Sequence, residues 1–409
     1  MKTKQKLKHL KKHFGFKDEQ LIEIKKMYDG EFFDPADANV QKLYNISQDI
    51  CNQYNNILRN TTKKQSLFKN FKIMLKKTKL LSLLFIKHGL FGDIREVNAI
   101  VGLVDLGRYV FLNKDAVFSK YALVNIDHRT LFGVNVKVGS DTPKQDGQKI
   151  CLEQICIGKD CWLGAGAKIE NNVTLEPRVV VAGGAVVTEC APCDTLLLGR
   201  PAKVYAHLDE NYHTKPKSKP NYTDKQKEKI FAVLKNLGYD NIQKDYTKIL
   251  SGEKFNTAKP KVGSLFLLTH RLCAELSHPS TTPERKNEIV DILFPNHGKN
   301  FKIGDGVFLD VLGTVIVGDN VSIGNNVYLA GNIFVGDNVK IEDGVTIFGS
   351  EHDLIGKKRK HALSRATWTD TICVENNVTL GQDCVIAPNS TVDRDVPAKA
   401  LFTNKKTIA

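Results

Sequence analysis

Aliphatic side chains return at every sixth position in two long stretches of the chain. They are Ile157, Leu163, Ile169, Leu175, Val181 and Val187 in the first stretch, and Val317, Ile323, Leu329, Val335, Ile341 and Ile347 in the second. The period resumes at Val374, Leu380, Ile386 and Val392, and a weaker version runs through Leu106, Leu112, Phe118, Ile126, Phe132 and Val138. A six-residue period is typical of neither an α-helix nor a single strand, but it fits a coil of three short strands per turn. We therefore predict two parallel β-helices, in which each aliphatic residue points inward and stacks on the residue three hexads later.

Two other segments, 27–55 and 249–276, share a second pattern: Gly-Glu-x-Phe, a polar turn and then an amphipathic helix. Each lies ahead of one hexad stretch, so the chain is predicted to be a duplication of one unit. A linker helix is expected over Asp224–Leu237, ended by Gly238. The predicted domains are a helical segment at 1–75, a first β-helix at 76–210, a linker with a helix at 211–245, a second helical segment at 246–300 and a second β-helix at 301–409.

The composition is that of a globular protein with more than one domain, because 409 residues with 42% hydrophobic and 25% charged side chains exceed one ordinary core. The formal net charge of +14 favours an anionic ligand, an anionic surface or nucleic acid without choosing among them. The lone Cys190-x-x-Cys193 motif predicts free thiols rather than a metal site. The N-terminus has no apolar signal-peptide core, and the apolar run 80–86 is far shorter than the about 20 residues of a membrane span. We expect a cytoplasmic protein.

The hexads, with words such as IGKDCW, LGAGAK, VGDNVS and IGNNVY, resemble those of the hexapeptide-repeat acyltransferases. The two Gly-Glu-x-Phe segments resemble the helical segment that precedes the β-helix of maltose and galactoside O-acetyltransferases. The resemblance implies a mainly β fold of two tandem left-handed parallel β-helices, each preceded by a short helical segment. It also implies an O-acetyltransferase with acetyl-coenzyme A as co-substrate, no metal, a sugar-like hydroxyl as acceptor and a homotrimer with active sites between neighbouring β-helices.

A histidine at the base of a long loop is the general base in that family, and the second copy has one at the matching place. The period breaks after Ile347 and returns at Val374, and His352 lies at the start of this interruption. An imidazole can take the proton of a hydroxyl during its attack on a thioester. The resemblance therefore implies that His352 is the catalytic base, although Asp353 replaces the usual proline after it.

The first copy has no histidine at the corresponding place. Gly-Ser-Asp follows Val138 where Gly-Ser-Glu precedes His352, which puts Thr142 at the matching position. A threonine hydroxyl cannot act as a base at neutral pH. His128 lies in another register, so we predict a catalytically silent first copy.

The resemblance implies further contacts in the second copy. Asn326 falls near the acceptor-binding asparagine of the family, and Gln382 lies where the family lines its thioester channel. Arg394 matches a lysine near the coenzyme phosphates. In the first copy Glu189 reverses that charge, while Arg200 and Lys203 retain basic groups nearby.

An alternative remains open: a non-catalytic trimeric assembly or ligand-binding protein, derived from a duplicated acetyltransferase. The second copy is about one coil shorter than the family norm, and its helical segment lacks the acidic residues of 33–40. Nucleic-acid binding rests only on the net charge. A carbonic-anhydrase-like site would need three converging histidines, which the coils do not offer.

Overall fold

The computed structural model describes residues 3–60, 67–85, 93–94, 97–113, 116–133, 135–208, 220–256, 259–351, 366–369, 371–387, 390–403 and 406–408. The chain divides into two compact units, one built on Met1–Glu210 and the other on Asn211–Leu354 and Leu363–Ala409. Each described unit has a helical part followed by coils of short parallel strands. No helix in the described ranges is long and apolar enough to cross a membrane.

Four helices are described in each unit. They are α1 (Thr3–Phe14), α2 (Ile22–Asp29), α3 (Ala38–Asn60) and α4 (Leu67–Leu84) in the first, and α5 (Asp224–Asn236), α6 (Gln243–Leu250), α7 (Pro260–Leu276) and α8 (Pro283–Leu293) in the second. Short 3-10 turns, Asp18–Leu21 and Asp240–Ile242, precede α2 and α6. A helix is present where one was predicted over Asp224–Leu237: it is α5 of the second unit, which Thr223 caps and after which Gly238 adopts a φ of 77°.

The first β-helix has three faces of parallel strands. Its first face contains Asp93–Ile94, Phe111–Leu112, Leu131–Phe132, Trp162–Leu163, Val180–Val181 and Thr195–Gly199, closed by the antiparallel Ala202–His207. Its second face contains Val97–Asn98, Ala116–Phe118, Lys137–Val138, Lys168–Ile169 and Val186–Val187. Its third face contains Val104–Leu106, Ala122–Ile126, Glu153–Ile157 and Thr174–Leu175. A hairpin, Lys144–Asp146 with Lys149–Cys151, interrupts the coil between the second and third faces.

The second β-helix repeats this plan. Its first face contains Lys302–Ile303, Ser322–Ile323, Lys340–Ile341 and Thr379–Leu380. Its second face contains Phe308–Leu309, Tyr328–Ala330, Thr346–Phe348, Val385–Ile386 and Leu401–Thr403, closed by the antiparallel Lys406–Ile408. Its third face contains Val315–Val317, Asn332–Val335, Thr371–Val374 and Thr391–Val392.

The predicted inward positions form the core of both coils. Every aliphatic residue of the strong repeats, from Ile157 to Val187 and from Val317 to Val392, is at most 5% exposed. Ile157 lies beside Leu175 and Leu329 beside Ile347, so each stacks on the residue three hexads later. The weaker repeat is buried as well, Phe118 included. The predicted parallel β-helices are confirmed, whereas their left hand stays a prediction of the resemblance.

The helical part of each unit is fixed to its coil by matching hydrogen bonds. The Ser47 hydroxyl accepts a bond from the Val101 amide at 3.1 Å, and the Thr269 hydroxyl accepts one from the Leu312 amide at 3.2 Å. Gly102 and Gly313 donate to the carbonyls of Leu84 and Leu293, at the ends of α4 and α8. These shared contacts make α3 the counterpart of α7, and α4 the counterpart of α8.

Candidate functional site

The second β-helix opens at one corner, between its second and third faces. After Phe348 the chain leaves the coil, and Ser350–Glu351 pairs antiparallel with Ala366–Thr369. The Gly349 amide donates to the Ala330 carbonyl at 2.6 Å, so the exit is still bonded to the preceding coil. This two-stranded stem brings together both ends of the insertion that the sequence predicted.

The helical part of the unit supplies a third strand to this stem. Phe255–Asn256, between α6 and α7, pairs antiparallel with the returning strand, with Phe255 opposite Thr367. Nearby, the fully buried Asn332 donates to the Ile249 carbonyl at 2.9 Å and accepts from the Tyr222 hydroxyl at 2.8 Å. The corner is therefore held by both the coil and the helices.

His352 follows Glu351 directly and lies outside the described residues, as do Asp353 and the basic cluster 357–360. The described part of the stem ends at Glu351, four residues beyond the buried Ile347 of the second face. Trp368 belongs to the returning strand, and its backbone alone is described.

Three side chains that the sequence analysis did not single out meet at the first two strands of the second face, Phe308–Leu309 and Tyr328–Ala330. His270 from α7 has its Nε2 3.7 Å from an Asp310 carboxylate oxygen, and its ring packs on Phe308 with centroids 4.6 Å apart. Tyr328, on the next coil, also stacks on Phe308, with centroids 5.2 Å apart. Asp310 and Tyr328 are partly exposed here, and the buried imidazole of His270 lies behind them.

The electrostatics of this trio differ from those of an ordinary surface. His270 is only 7% exposed, and neither of its ring nitrogens has a hydrogen-bond partner within the described structure. Burial, reinforced by the negative charge of Asp310, raises the pKa of Tyr328 well above its usual value, so its hydroxyl stays a neutral donor. Buried polar atoms without partners cost free energy, and they are retained most often where a ligand or water completes them.

The trio lies close to the exit of the insertion. The Asp310 amide donates to the Leu329 carbonyl at 3.0 Å, and Ala330 pairs in turn with Phe348. Since neighbouring strands lie about 4.8 Å apart, two rungs separate Asp310 from Phe348 by about 10 Å. The four residues from Phe348 to His352 span up to about 14 Å when extended. The exit of the insertion and the backbone of Asp310 are thus separated by less than the reach of a four-residue segment.

Asn326 and Gln382 share a different corner, between the first and second faces. Asn326 is exposed, adopts a left-handed φ of 55° and donates its amide N–H to the Asp305 carbonyl at 2.8 Å. Gln382 is also exposed, and its amide N–H donates to the Glu342 carboxylate at 3.1 Å. The backbone N–H groups of both residues thus form hydrogen bonds within the turns. The side chain of Gln382 is exposed and carries an amide that can donate.

Arg394 lies at the remaining corner, between the third and first faces. Its guanidinium donates to the adjacent Asp393 at 2.8 Å, and its side chain is 58% exposed. The predicted residues therefore occupy all three corners of the prism: Asn326 with Gln382, the exit towards His352, and Arg394. One β-helix does not bring them to one point.

The first unit has the same corner without the same chemistry. Its interruption is a short hairpin whose Ile150 pairs with Phe33 of the helical part, just as the second unit pairs Phe255 with its returning strand. Thr142 is exposed and its hydroxyl lies 3.3 Å from that of Ser140. By strand register, Ile100 and Val117 take the places of Asp310 and Tyr328, and Gln48 follows Ser47 as His270 follows Thr269, so the trio is absent there.

The sequence contained only a faint signal for the trio. His270 falls on the buried face of α7, among Leu265, Leu272 and Cys273, where an apolar residue is usual. Asp310 directly follows the inward Leu309. A polar residue on a buried face is a recognisable anomaly, but the pairing of these two became visible only in three dimensions.

No metal centre emerges from the described residues. They contain no group of three or more His, Cys, Asp or Glu side chains arranged to hold an ion. All nine cysteines are free thiols, and Cys190 and Cys193 are both exposed.

Both coils match models of one class of repeat. A model described as bacterial transferase hexapeptide, six repeats, matches residues 157–189, and one described as hexapeptide repeat of succinyl-transferase matches residues 314–348. The class is thus the hexapeptide-repeat parallel β-helix. Each of the two tandem coils is thus similar to a hexapeptide-repeat transferase over the residues matched.

A curated relative, from Schizosaccharomyces pombe and provisionally named an acetyltransferase, is 32% identical over 106 residues. The match covers 24% of this chain and spans about half, 51%, of that relative.

Solved structures of similar proteins cover about half of the chain. A hexapeptide-repeat acetyltransferase of Vibrio cholerae, complexed with acetyl-coenzyme A, is 26% identical and covers 46% of this chain and 99% of its own, with a TM-score of 0.39. A maltose O-acetyltransferase from Clostridium difficile is 22% identical and covers 46% and 98%, with a TM-score of 0.40. A galactoside acetyltransferase in complex with coenzyme A is 15% identical and covers 49% and 98%, with a TM-score of 0.40.

Proposed function

We propose that this chain is an O-acetyltransferase that moves an acetyl group from acetyl-coenzyme A to a hydroxyl of a sugar-like acceptor. The observation that carries the proposal is the corner of the second β-helix. There the chain leaves the coil after Phe348, about 10 Å from Asp310 and four residues ahead of His352. The first unit keeps the corner and lacks these groups, as expected for one active and one silent copy.

The proposed reaction uses His352 as the general base. Its imidazole takes the proton of the acceptor hydroxyl as the oxygen attacks the thioester carbonyl. An ester C–O bond forms, the C–S bond breaks, and the imidazolium returns the proton to the departing thiolate of coenzyme A. N–H donors around the reacting carbon stabilise the intermediate oxyanion.

Asp310 and Tyr328 are proposed to hold the acceptor. A carboxylate accepts hydrogen bonds from sugar hydroxyls, and a phenol with a raised pKa donates one at neutral pH. His270 lies buried behind them with its Nε2 3.7 Å from the Asp310 carboxylate, and is proposed to position that carboxylate.

The acetyl donor is proposed to meet Gln382 and Arg394, with Asn326 as a further acceptor contact. Since these residues lie at two other corners, a complete site requires a neighbouring β-helix, and we infer a homotrimer. The nine free thiols fit a cytoplasmic protein.

The second candidate is a non-catalytic ligand-binding or assembly protein. The observation that favours it is the first unit, where the corner persists around Thr142 without a base. In this case the polar trio of the second unit would bind a ligand without any chemistry.

Release of the coenzyme thiol from acetyl-coenzyme A, measured over a panel of sugars, distinguishes the two candidates. We expect acceptor-dependent release, reduced by at least about 100-fold in His352→Ala because general-base catalysis contributes about 10²–10⁴-fold. Thr142→Ala, at the matching position of the first unit, is the control and should retain full activity. Asp310→Asn should raise the KM for the acceptor more than it lowers kcat.

Two outcomes would contradict the proposal. Full activity of His352→Ala would remove the assigned base while leaving the enzyme class intact. Acceptor binding by the wild-type protein, without thiol release for any sugar, would favour the non-catalytic candidate.

A further inference from the structure

The helices α1 and α4 of the first unit have an unusual composition. Together they carry ten lysines and not one aspartate or glutamate. They are also in contact, because the His9 Nε2 atom of α1 lies 3.1 Å from the Leu83 carbonyl oxygen in the last turn of α4. Much of the chain's excess positive charge is therefore gathered on two touching helices.

The corresponding helices of the second unit provide a comparison of composition. Its α5, the first helix of the unit, carries Asp224 and Glu228 among its lysines. Its α8, which ends on the coil as α4 does, carries Glu284, Glu288 and Asp291. Helices that pack against a β-helix can therefore contain acidic residues. The absence of acidic residues from α1 and α4 needs another explanation.

Exposed apolar side chains accompany the lysines of α4. Met74 and Leu75 are adjacent and each is 52% exposed. Lys76 and Lys79 next to them are exposed as well, as are Lys8 and Lys12 on α1. A solvated surface helix gains nothing by exposing two large apolar residues among cations.

We propose that this surface, formed by the exposed sides of α1 and α4, binds the surface of an anionic phospholipid bilayer. The lysines are attracted to the lipid phosphates, and Met74 and Leu75 enter the boundary between headgroups and acyl chains. Such a helix lies in the plane of the membrane surface and spans nothing. The first unit then localises the chain by binding a membrane, whatever the second unit catalyses.

Charge complementarity alone would also allow nucleic acid, but the side chains favour lipid. Neither helix contains arginine, the residue best suited to bidentate contacts with phosphates and bases. The exposed Met74 and Leu75 would meet no apolar surface along a phosphate backbone, whereas an acyl layer buries both.

Vesicle sedimentation with the full chain tests the proposal. We expect binding to vesicles of phosphatidylcholine with one quarter phosphatidylglycerol, little binding to pure phosphatidylcholine, and release as the salt concentration rises. Changing Lys8, Lys12, Lys76 and Lys79 to glutamine should lower the partition coefficient at least about tenfold. Met74→Ser with Leu75→Ser should also weaken binding, although the charge is unchanged.

A matched control removes the same charge elsewhere. Lys225, Lys229, Lys235 and Lys244 are exposed lysines on α5 and α6 of the second unit. Their change to glutamine should leave vesicle binding unaltered, and circular dichroism should show that both quadruple variants remain folded. Equal loss in the two variants would overturn the proposal, because net charge alone would then explain binding. No vesicle binding together with tight binding of duplex DNA would overturn it in favour of nucleic acid.

Discussion

Buried hydroxyl groups show how single residues tune this chain. The Tyr44 hydroxyl in α3 is buried and has no hydrogen-bond partner in the described structure. Burial, with a smaller contribution from Tyr121, raises its pKa to about 12. In the unfolded chain the same group ionises near pH 10. The folded state therefore holds this proton more tightly than the unfolded state.

Tyr44→Phe should make the first unit less sensitive to alkali. Between pH 10 and pH 12 the unfolded tyrosine is ionised while the folded one is not, so the wild type loses at most about 1.4 kcal/mol of unfolding free energy per pH unit through this residue. Below pH 10 the difference in stability between the two proteins should not change with pH. Thermal unfolding midpoints at pH 8 and pH 11 measure the difference.

Tyr205→Phe provides the control, because Tyr205 is 43% exposed rather than buried. An equal shift in the two variants at pH 11 would contradict the assignment to Tyr44.

At the residue scale, periodic positions were predictable and the polar trio was not. Leu329 and Ile347 could be assigned to the core because each belongs to a repeat whose members share one environment. His270 and Asp310 come from a helix and a strand that meet only after packing, and no period links them. The role of His352 stays a prediction.

A ladder of asparagines stabilises one corner of the second β-helix. Asn300, Asn320, Asn338 and Asn377 stack along the coil, and each of the first three donates its side-chain amide to the next at 2.8–3.0 Å. All four adopt left-handed backbone conformations, with φ between 55° and 60°. Asparagine suits the position twice, since it tolerates this conformation and can both donate and accept.

Substitutions at Asn338 should separate these two contributions. Asn338→Gly keeps the backbone conformation and loses two amide contacts, which should cost about 1–2 kcal/mol. Asn338→Ala loses the same contacts and also strains the backbone, which should add roughly 1 kcal/mol. Free energies of unfolding from denaturant titration provide the comparison. Equal costs for glycine and alanine would show that the left-handed conformation carries no penalty here.

Breaks in the hexad pattern predicted where elements begin and end, but not how they meet. The interruption after Ile347 marked the insertion, and the Gly-Glu-x-Phe segments marked the helical parts. The sequence did not predict the strand Phe255–Asn256 or its pairing with Ala366–Thr369. Each strand is short, and the two are far apart in the sequence. Pairing of this kind depends on tertiary context rather than on local propensity.

At the scale of the whole molecule, the position of the predicted site residues at three separate corners of the β-helix predicts a trimer. If Asn326 with Gln382, His352 and Arg394 serve one reaction, copies of the β-helix must stand side by side so that different corners meet. Light scattering should then give the mass of three copies of the 45.7 kDa chain. A monomeric mass at working concentration would contradict both the trimer and a site shared between copies.

The strand pairing at the base of the insertion, where Ala366–Thr369 pairs with Ser350–Glu351 and with Phe255–Asn256, has a consequence for how such a protein diversifies. Both ends of the excursion are held, one by its own stem and the other by a strand from the helices, and the first unit anchors its hairpin at the same corner through Phe33. Everything between Glu351 and Ala366 can lengthen, shorten or change composition while the coils above and below keep their stacking. Substitutions and length changes in the insertion can thus alter ligand recognition during evolution while the fold of the β-helix stays the same.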